Sequence, residues 1–276
     1  MPVAEPSIAV PPGACDCHMH FYDHRFPKAP TALLYPPEAT PADYRAMRDR
    51  VGLSRLVVVQ PSTYGFDNTC TMEGVAAFPG EARAVVVLRH DEPDSEYRRL
   101  TDAGARALRF FMLPGGTFGW DDLEPMAKRI APFGWHLQLQ LDGRLLPEFE
   151  ARLRRLPCEL VVDHNGKFLE PVAPDHPAMA SLLRLLDTGR TWVKLSAPYE
   201  TSKEGPPRYR DVGRIARALA RAAPERCVWA SNWPHPGIVP RPDDAALVDL
   251  LADWAPDERA RTRILVDNPA KLYGFD

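Results

Sequence analysis

No apolar run in the 276 residues approaches the ~18 needed to cross a bilayer, so a membrane-spanning chain is not expected. The opening MPVAEPSIAVPPGACDCHMH lacks the basic and apolar regions of a secretory signal, which predicts a cytoplasmic location. Excess charge of one sign is missing too, with 37 acidic residues against 34 basic ones and a formal charge of −3. Nucleic acid is therefore not an expected partner, because binding it draws on a concentrated basic surface. Cysteine is sparse: Cys15, Cys17, Cys70, Cys158 and Cys227 form an odd, scattered set that argues against a disulfide framework or a zinc knuckle. Cys15 and Cys17 lie two apart on an extended run, so they are expected to share a face as small buried hydrophobes. No G-x-G-x-x-G follows an early strand, which counts against an open dinucleotide-binding sheet. Internal repeats, low-complexity tracts and linkers are lacking as well.

Proline is abundant, with 30 residues, roughly twice its usual ~5% share. The prolines punctuate a regular beat of short β-rich runs and longer segments with helical spacing. Eight runs read as strands, at 14–22, 55–60, 82–88, 105–110, 135–141, 159–163, 191–196 and 227–231. Helical spacing covers 41–51, 95–103, 123–132, 147–156, 177–188, 211–223, 242–254 and 257–266, several with proline in the first turn, where its missing N–H costs nothing. Eight such units in this length predict one α/β domain over 1–276, a (β/α)8 TIM barrel of parallel strands. An open doubly wound sheet is the alternative. The proline-rich stretch 27–41 is expected to loop over the top face.

Barrels of this kind place their chemistry at the C-terminal ends of the strands. There the first run delivers His18 and His20, two apart on an extended segment, a spacing that suits two ligands of one metal or two donors to one carbonyl oxygen. The sixth run ends in VVDHNG and delivers Asp163 and His164; the eighth ends in VWASNWPHP and delivers Asn232 and His235. Together they predict that His18, His20, His164 and Asn232 ring one cavity, with Trp233 at its border.

The whole series DCHMH (16–20), ADYRAMRDRVGLSRLVVVQPSTYGFDN (42–68), GARALRF (104–110), GWHLQLQL (134–141), VVDHNGKF (161–168), WVKLS (192–196), NWPHP (232–236) and VDNPAKLYGF (266–275) resembles the amidohydrolase superfamily over nearly the full chain. Within it the resemblance is to the lactonase branch that takes in 2-pyrone-4,6-dicarboxylate lactonases, sugar-acid lactonases and galactarolactone isomerases. It implies an enzyme that hydrolyses or isomerises a small carboxylated lactone of the sugar-acid or muconolactone type. It also implies that His18, His20 and His164 polarise the lactone carbonyl. In the branch an aspartate on the eighth strand deprotonates water, and here Asn232 takes its place. A carboxamide cannot accept that proton. Asn232 is read first as an inactivating, substrate-trapping replacement, because its surroundings keep the family pattern; a shift of chemistry is the other reading.

The resemblance also bears on cofactors and substrate. Without the strand-eight carboxylate a site free of metal is expected, with a divalent ion such as zinc as the alternative. Arg109 matches the branch's carboxylate-binding arginine. Tyr64, Gln138, Gln140, Lys194, Tyr199 and His235 complete the expected substrate contacts. Gly115, Gln140 and the Tyr199–Glu200 region replace groups of the pyrone dicarboxylate pattern, so a hydroxylated lactone with one free carboxylate fits better. Two further readings remain, a metal-dependent decarboxylase of the same superfamily and a catalytically silent lactone-binding protein.

Overall fold

Short runs of Val, Leu and Ala, each buried on both faces, form strands that only a sheet covered on both sides can use. The structure, a computed structural model, describes residues 5–276. It contains eight parallel strands: β1 Cys15–Met19, β2 Arg55–Val59, β3 Ala82–Val86, β4 Ala105–Phe111, β5 His136–Gln140, β6 Leu160–Val162, β7 Thr191–Ser196 and β8 Cys227–Ala230. They pair in chain order. Backbone bonds from Asn232 N to His18 O and from His20 N to Trp233 O, both 2.8 Å, bring the end of β8 back against β1. The result is a (β/α)8 barrel.

Helices α1 Pro41–Val51, α3 Asp94–Asp102, α4 Leu123–Ile130, α5 Leu146–Leu153, α6 Pro177–Leu186 and α7 Arg210–Ala222 fall within two residues of their expected starts. The Thr40–Asp43 capping box opens α1, and Gly52 closes it in the left-handed conformation. Helix α2, Thr69–Ala76, was not expected. Its cap residue Asn68 makes no cap bond and binds Val87 N and O at 2.9 and 2.7 Å instead. Gly74, a poor helix former, stands in α2 because the Phe21 ring lies against it; a Cβ there would come within 2.1 Å of that ring. After β8 come α8 Asp244–Asp249, α9 Leu251–Trp254 and α10 Glu258–Thr262, then a π-turn at Arg263–Asp267 that runs into α11 Asn268–Tyr273. No helix among the described residues is long and apolar enough to cross a membrane.

Alternation along the strands divides their side chains. Leu56, Val58, Leu108, Phe110, Leu137 and Leu139 face outward and pack with helix residues such as Met126, Ile130 and Leu182. Val57, Val59, Val85, Ala107, Val161, Trp192 and Val228 face inward, where Leu272, Tyr273 and Phe275 from the chain's end close the floor. Cys15 and Cys17 join this inner apolar layer, buried and free as expected. Strict alternation would then turn His18 outward. The register shift between Asp16 and Met19 resolves the conflict, and Cys17 and His18 both reach the interior.

Candidate active site

The inner face changes character toward the C-terminal ends of the strands. Arg109 and Gln138 are neighbours across β4 and β5. Lys194 and Ser196 come from β7, Asp163 and His164 from the turn after β6, and His18 and His20 from the end of β1. All are almost wholly buried.

Hydrogen-bond geometry assigns the tautomers of the H-x-H pair. His20 Nδ1 lies 2.7 Å from Val59 O, an acceptor only, so Nδ1 carries the proton and Nε2 a lone pair. His18 Nε2 faces that lone pair at 3.2 Å and is the donor of the two. His18 Nδ1 then accepts from Lys194 Nζ, at 3.3 Å. Lys194 also donates to Gln138 Oε1 at 2.6 Å and sits 3.5 Å from Asp163 Oδ1. Gln138 Nε2 in turn donates to Asp163 Oδ2 at 3.1 Å. Burial drives the His18 pKa well below the usual imidazole value, with the Lys194 charge adding to it, and drives His20 down to about 3. Burial also lowers His164, followed by the effect of His18. These imidazoles are neutral at neutral pH. The one N–H of His18 faces the His20 lone pair, so the expectation of two donors from His18 and His20 is replaced by one donor and one acceptor.

His164 stacks obliquely on His18, ring centres 4.7 Å apart, and its Nδ1 meets Ser196 Oγ at 2.8 Å. The turn that carries it is left-handed throughout, with φ of 51° at His164, 56° at Asn165, 87° at Gly166 and 47° at Lys167. Asn232 and His235, both at φ 62°, repeat this after β8. Side chains in this region cost conformational energy, and such positions gather at functional sites. His18, His20, His164 and Asn232 do converge at one mouth.

Asn232 is held firmly. Its Nδ2 donates to Tyr199 OH and to Glu200 Oε1, both at 3.0 Å. Tyr199 passes its own proton to His235 Nδ1 at 2.8 Å, and His235 Nε2–H reaches Asp244 Oδ1 at 3.1 Å. Glu200 Oε2 is ion-paired with Lys167 Nζ. An aspartate at 232 would set two carboxylates about 3 Å apart.

Arg109 donates through Nη1 to Gln60 O at 2.6 Å and through Nη2 to Gln140 Oε1 at 3.0 Å. Its buried Nε has no hydrogen-bond partner among the described residues, which leaves one charged donor unused. Three expected contacts are placed elsewhere. Tyr64 OH accepts from Asp23 N at 2.9 Å and donates to Asp23 O at 3.1 Å, tying two loops together. His235 stands behind Tyr199 as a support. Trp233 packs against Tyr44 and Phe21, with ring centres 5.3 and 6.2 Å away, toward α1. The sequence reading missed Lys167 and passed over Glu200. Lys167 lies inside the quoted VVDHNGKF, and its signal was a lysine following a glycine turn at a strand end.

The stretch 27–41 crosses the mouth as expected, up to Pro41, which opens α1. Ala29 N bonds Thr63 O at 2.7 Å, and Thr63 Oγ1 bonds Leu34 O at 3.1 Å. Leu33 lies over Gly115 and Leu34 over Gly237, close enough that a Cβ on either glycine would meet the leucine at 3.3 Å. Leu33 is nevertheless 69% exposed.

His18, Asp163 and His164 offer ligand atoms within 4.8 Å of one another, a grouping with the chemistry of a metal site. Three cations crowd it, however. Lys194 lies against both His18 and Asp163, and the charges of Arg109 and Lys167 also bear on His18. The turn after β8 brings the neutral Asn232, and its His235 is engaged by Tyr199 and Asp244. A divalent ion would have to share one carboxylate with an ammonium, so this donor set does not suit a resident metal.

A D-galactarolactone isomerase of Agrobacterium fabrum is 37% identical over 97% of this chain and 93% of its own. A 2-pyrone-4,6-dicarboxylate hydrolase of Comamonas testosteroni is 35% identical over 98% of this chain and 93% of its own. Among solved structures, an apo protein of Agrobacterium tumefaciens superposes with a TM-score of 0.93 at 37% identity, covering 98% of this chain and 99% of the other. Residues 15–275 match the family described as Amidohydrolase, and with relatives of this identity and coverage the chain belongs to it.

Proposed function

We propose that this protein isomerises a carboxylated, polyhydroxylated lactone by moving its acyl group from one hydroxyl of the substrate to another, with no metal. The observation that carries the reading is Asn232, an amide fixed by two donated hydrogen bonds where hydrolysis needs a base. The surrounding bonds fit asparagine and disfavour aspartate, which supports shifted chemistry over a substrate trap. The relatives named for isomerase and hydrolase activity supply the substrate class. His18 Nε2–H, which faces the His20 lone pair, turns to the lactone carbonyl oxygen when substrate binds, and His164 packs beside it. Arg109 anchors the free carboxylate through Nε, backed by Gln140. Lys194 and Gln138 hold His18 in its donor tautomer, and Tyr199 and Asn232 hydrogen-bond the hydroxyls. A hydroxyl of the substrate attacks the carbonyl carbon, the tetrahedral oxyanion is held by the His18 donor, and the ring oxygen leaves. Water takes no part.

The test is a panel of aldaric and aldonic lactones, D-galactarolactone first, followed by NMR in H2¹⁸O with metal-free protein. The expected result is interconversion of ring forms with no label in the product. Label in an open-chain acid would make the protein a hydrolase, and binding without turnover would make it silent.

A further inference from the structure

Isomerisation of a lactone consumes no proton and releases none, yet one must leave the attacking hydroxyl and one must reach the departing ring oxygen. Neither Asn232 nor the three acid-shifted histidines is suited to accept the first. One group of the mouth has no part in the scheme above: the ion pair of Lys167, on the left-handed turn after β6, and Glu200, on the turn after β7. An ion pair as largely withdrawn from water as this one, its side chains 8% and 17% exposed, commonly gains little more from attraction than it loses in hydration, so stability alone is a weak reason for it. Both groups face the site. Glu200 Oε1 is 3.0 Å from the Asn232 amide, and the Lys167 charge is felt by His18 and His164.

Resting on the isomerase reading, we infer that the Lys167–Glu200 pair is the proton relay of the reaction. As the attacking C–O bond forms, the substrate hydroxyl gives its proton to the Glu200 carboxylate. The oxyanion collapses, the ring C–O bond breaks, and the departing oxygen takes a proton from the Lys167 ammonium. The Glu200 carboxylic acid then hands its proton to the Lys167 amine in contact with it, and the starting pair is restored. Burial pulls the Lys167 ammonium down to about 8, against the opposing charge of Asp163, which makes it a competent acid near neutrality.

Glu200→Gln keeps the shape and the acceptor for Asn232 while removing the base. It should lower kcat for isomerisation at least ~10²-fold with KM within about threefold. Glu200→Ala should be equally slow and regain rate in added formate, a rescue that a loop tie would not show. Should Glu200→Gln fail to fold, Glu200→Asp keeps charge and ion pair but shortens the reach, and a loss of about tenfold is expected. A kcat within threefold of the unaltered protein in the glutamine variant, or in the aspartate variant if that is the one that folds, overturns the relay and leaves the isomerase reading standing. Labelled open-chain product from the unaltered protein, or no turnover across the panel, overturns both.

Discussion

Along β7, Trp192 and Lys194 point into the same barrel one pleat apart, yet they belong to different environments. Trp192 is packed among Val161, Val228 and Cys15 in the layer closed by Tyr273. Lys194 is equally buried, but its neighbours are His18, Gln138 and Asp163. The lower layer gains from removal of apolar surface from water; the upper layer holds charges out of water, each dependent on a partner. Stability and chemistry are therefore assigned to opposite ends of one set of strands, about 7 Å apart.

Acid should strain both ends, and it gives the largest expected effect. His20 in the upper layer and His136, beside Tyr273, are both pushed by burial to about 3. Their unfolded forms bind protons from about pH 6.5 downward, so the stability they contribute is present above that pH and lost as it falls. Between pH 6.5 and 4 each removes roughly 3 kcal/mol. Asp16 works the other way, because burial raises it from 3.8 to about 6. Its contribution is lost as pH rises, and over the same window it returns about 2 kcal/mol on acidification. Urea unfolding should show a net loss on acidification, smaller by about 3 kcal/mol in His136→Gln and deeper by about 2 kcal/mol in Asp16→Asn. Stability flat across this window would show the buried histidines already charged.

Exchanges within β7 separate the layers directly. Trp192→Ala should cost about 3–5 kcal/mol of stability and leave kcat per folded molecule nearly unchanged. Lys194→Met should lower kcat about 10²–10³-fold, since it frees His18 from its donor tautomer and leaves Asp163 unpaired. Thermal unfolding and active-site titration on both proteins check this, and a reversed pattern breaks the comparison.

Arg109→Met should raise KM roughly 30-fold or more with kcat far less affected, the loss of an anchored carboxylate. Unchanged KM would make the arginine a brace between Gln60 and Gln140. The smallest effect is expected of Asn232→Asp. A base is restored, but beside Glu200, so hydrolysis should rise only about tenfold, below the 10²–10⁴ of a well-placed base. A gain of 10³ with undiminished stability would instead restore the substrate-trap reading.

The strands and six of the intervening helices were legible because periodicity and proline placement are local signals. Helix α2 was not, since its cap is diverted to Val87 and its glycine serves Phe21. The histidine cluster was legible from strand ends; the direction of each proton was not, because Val59 O assigns the His20 tautomer through a backbone contact 39 residues away. Glu200 shows the same limit. Its meaning comes from Lys167 and Asn232, on two other turns that only the closed barrel brings together.

The floor sealed by Tyr273 leaves traffic to the end crossed by the stretch 27–41. For an isomerase this makes entry and exit the same event run in two directions. The two lactones share composition and charge, so each product molecule re-enters on the terms by which substrate arrived. Such a protein cannot drive its substrate pool forward; it only hastens the approach to the ratio fixed by the ring strain of the two isomers. Net flux then belongs to whatever reaction withdraws one of them.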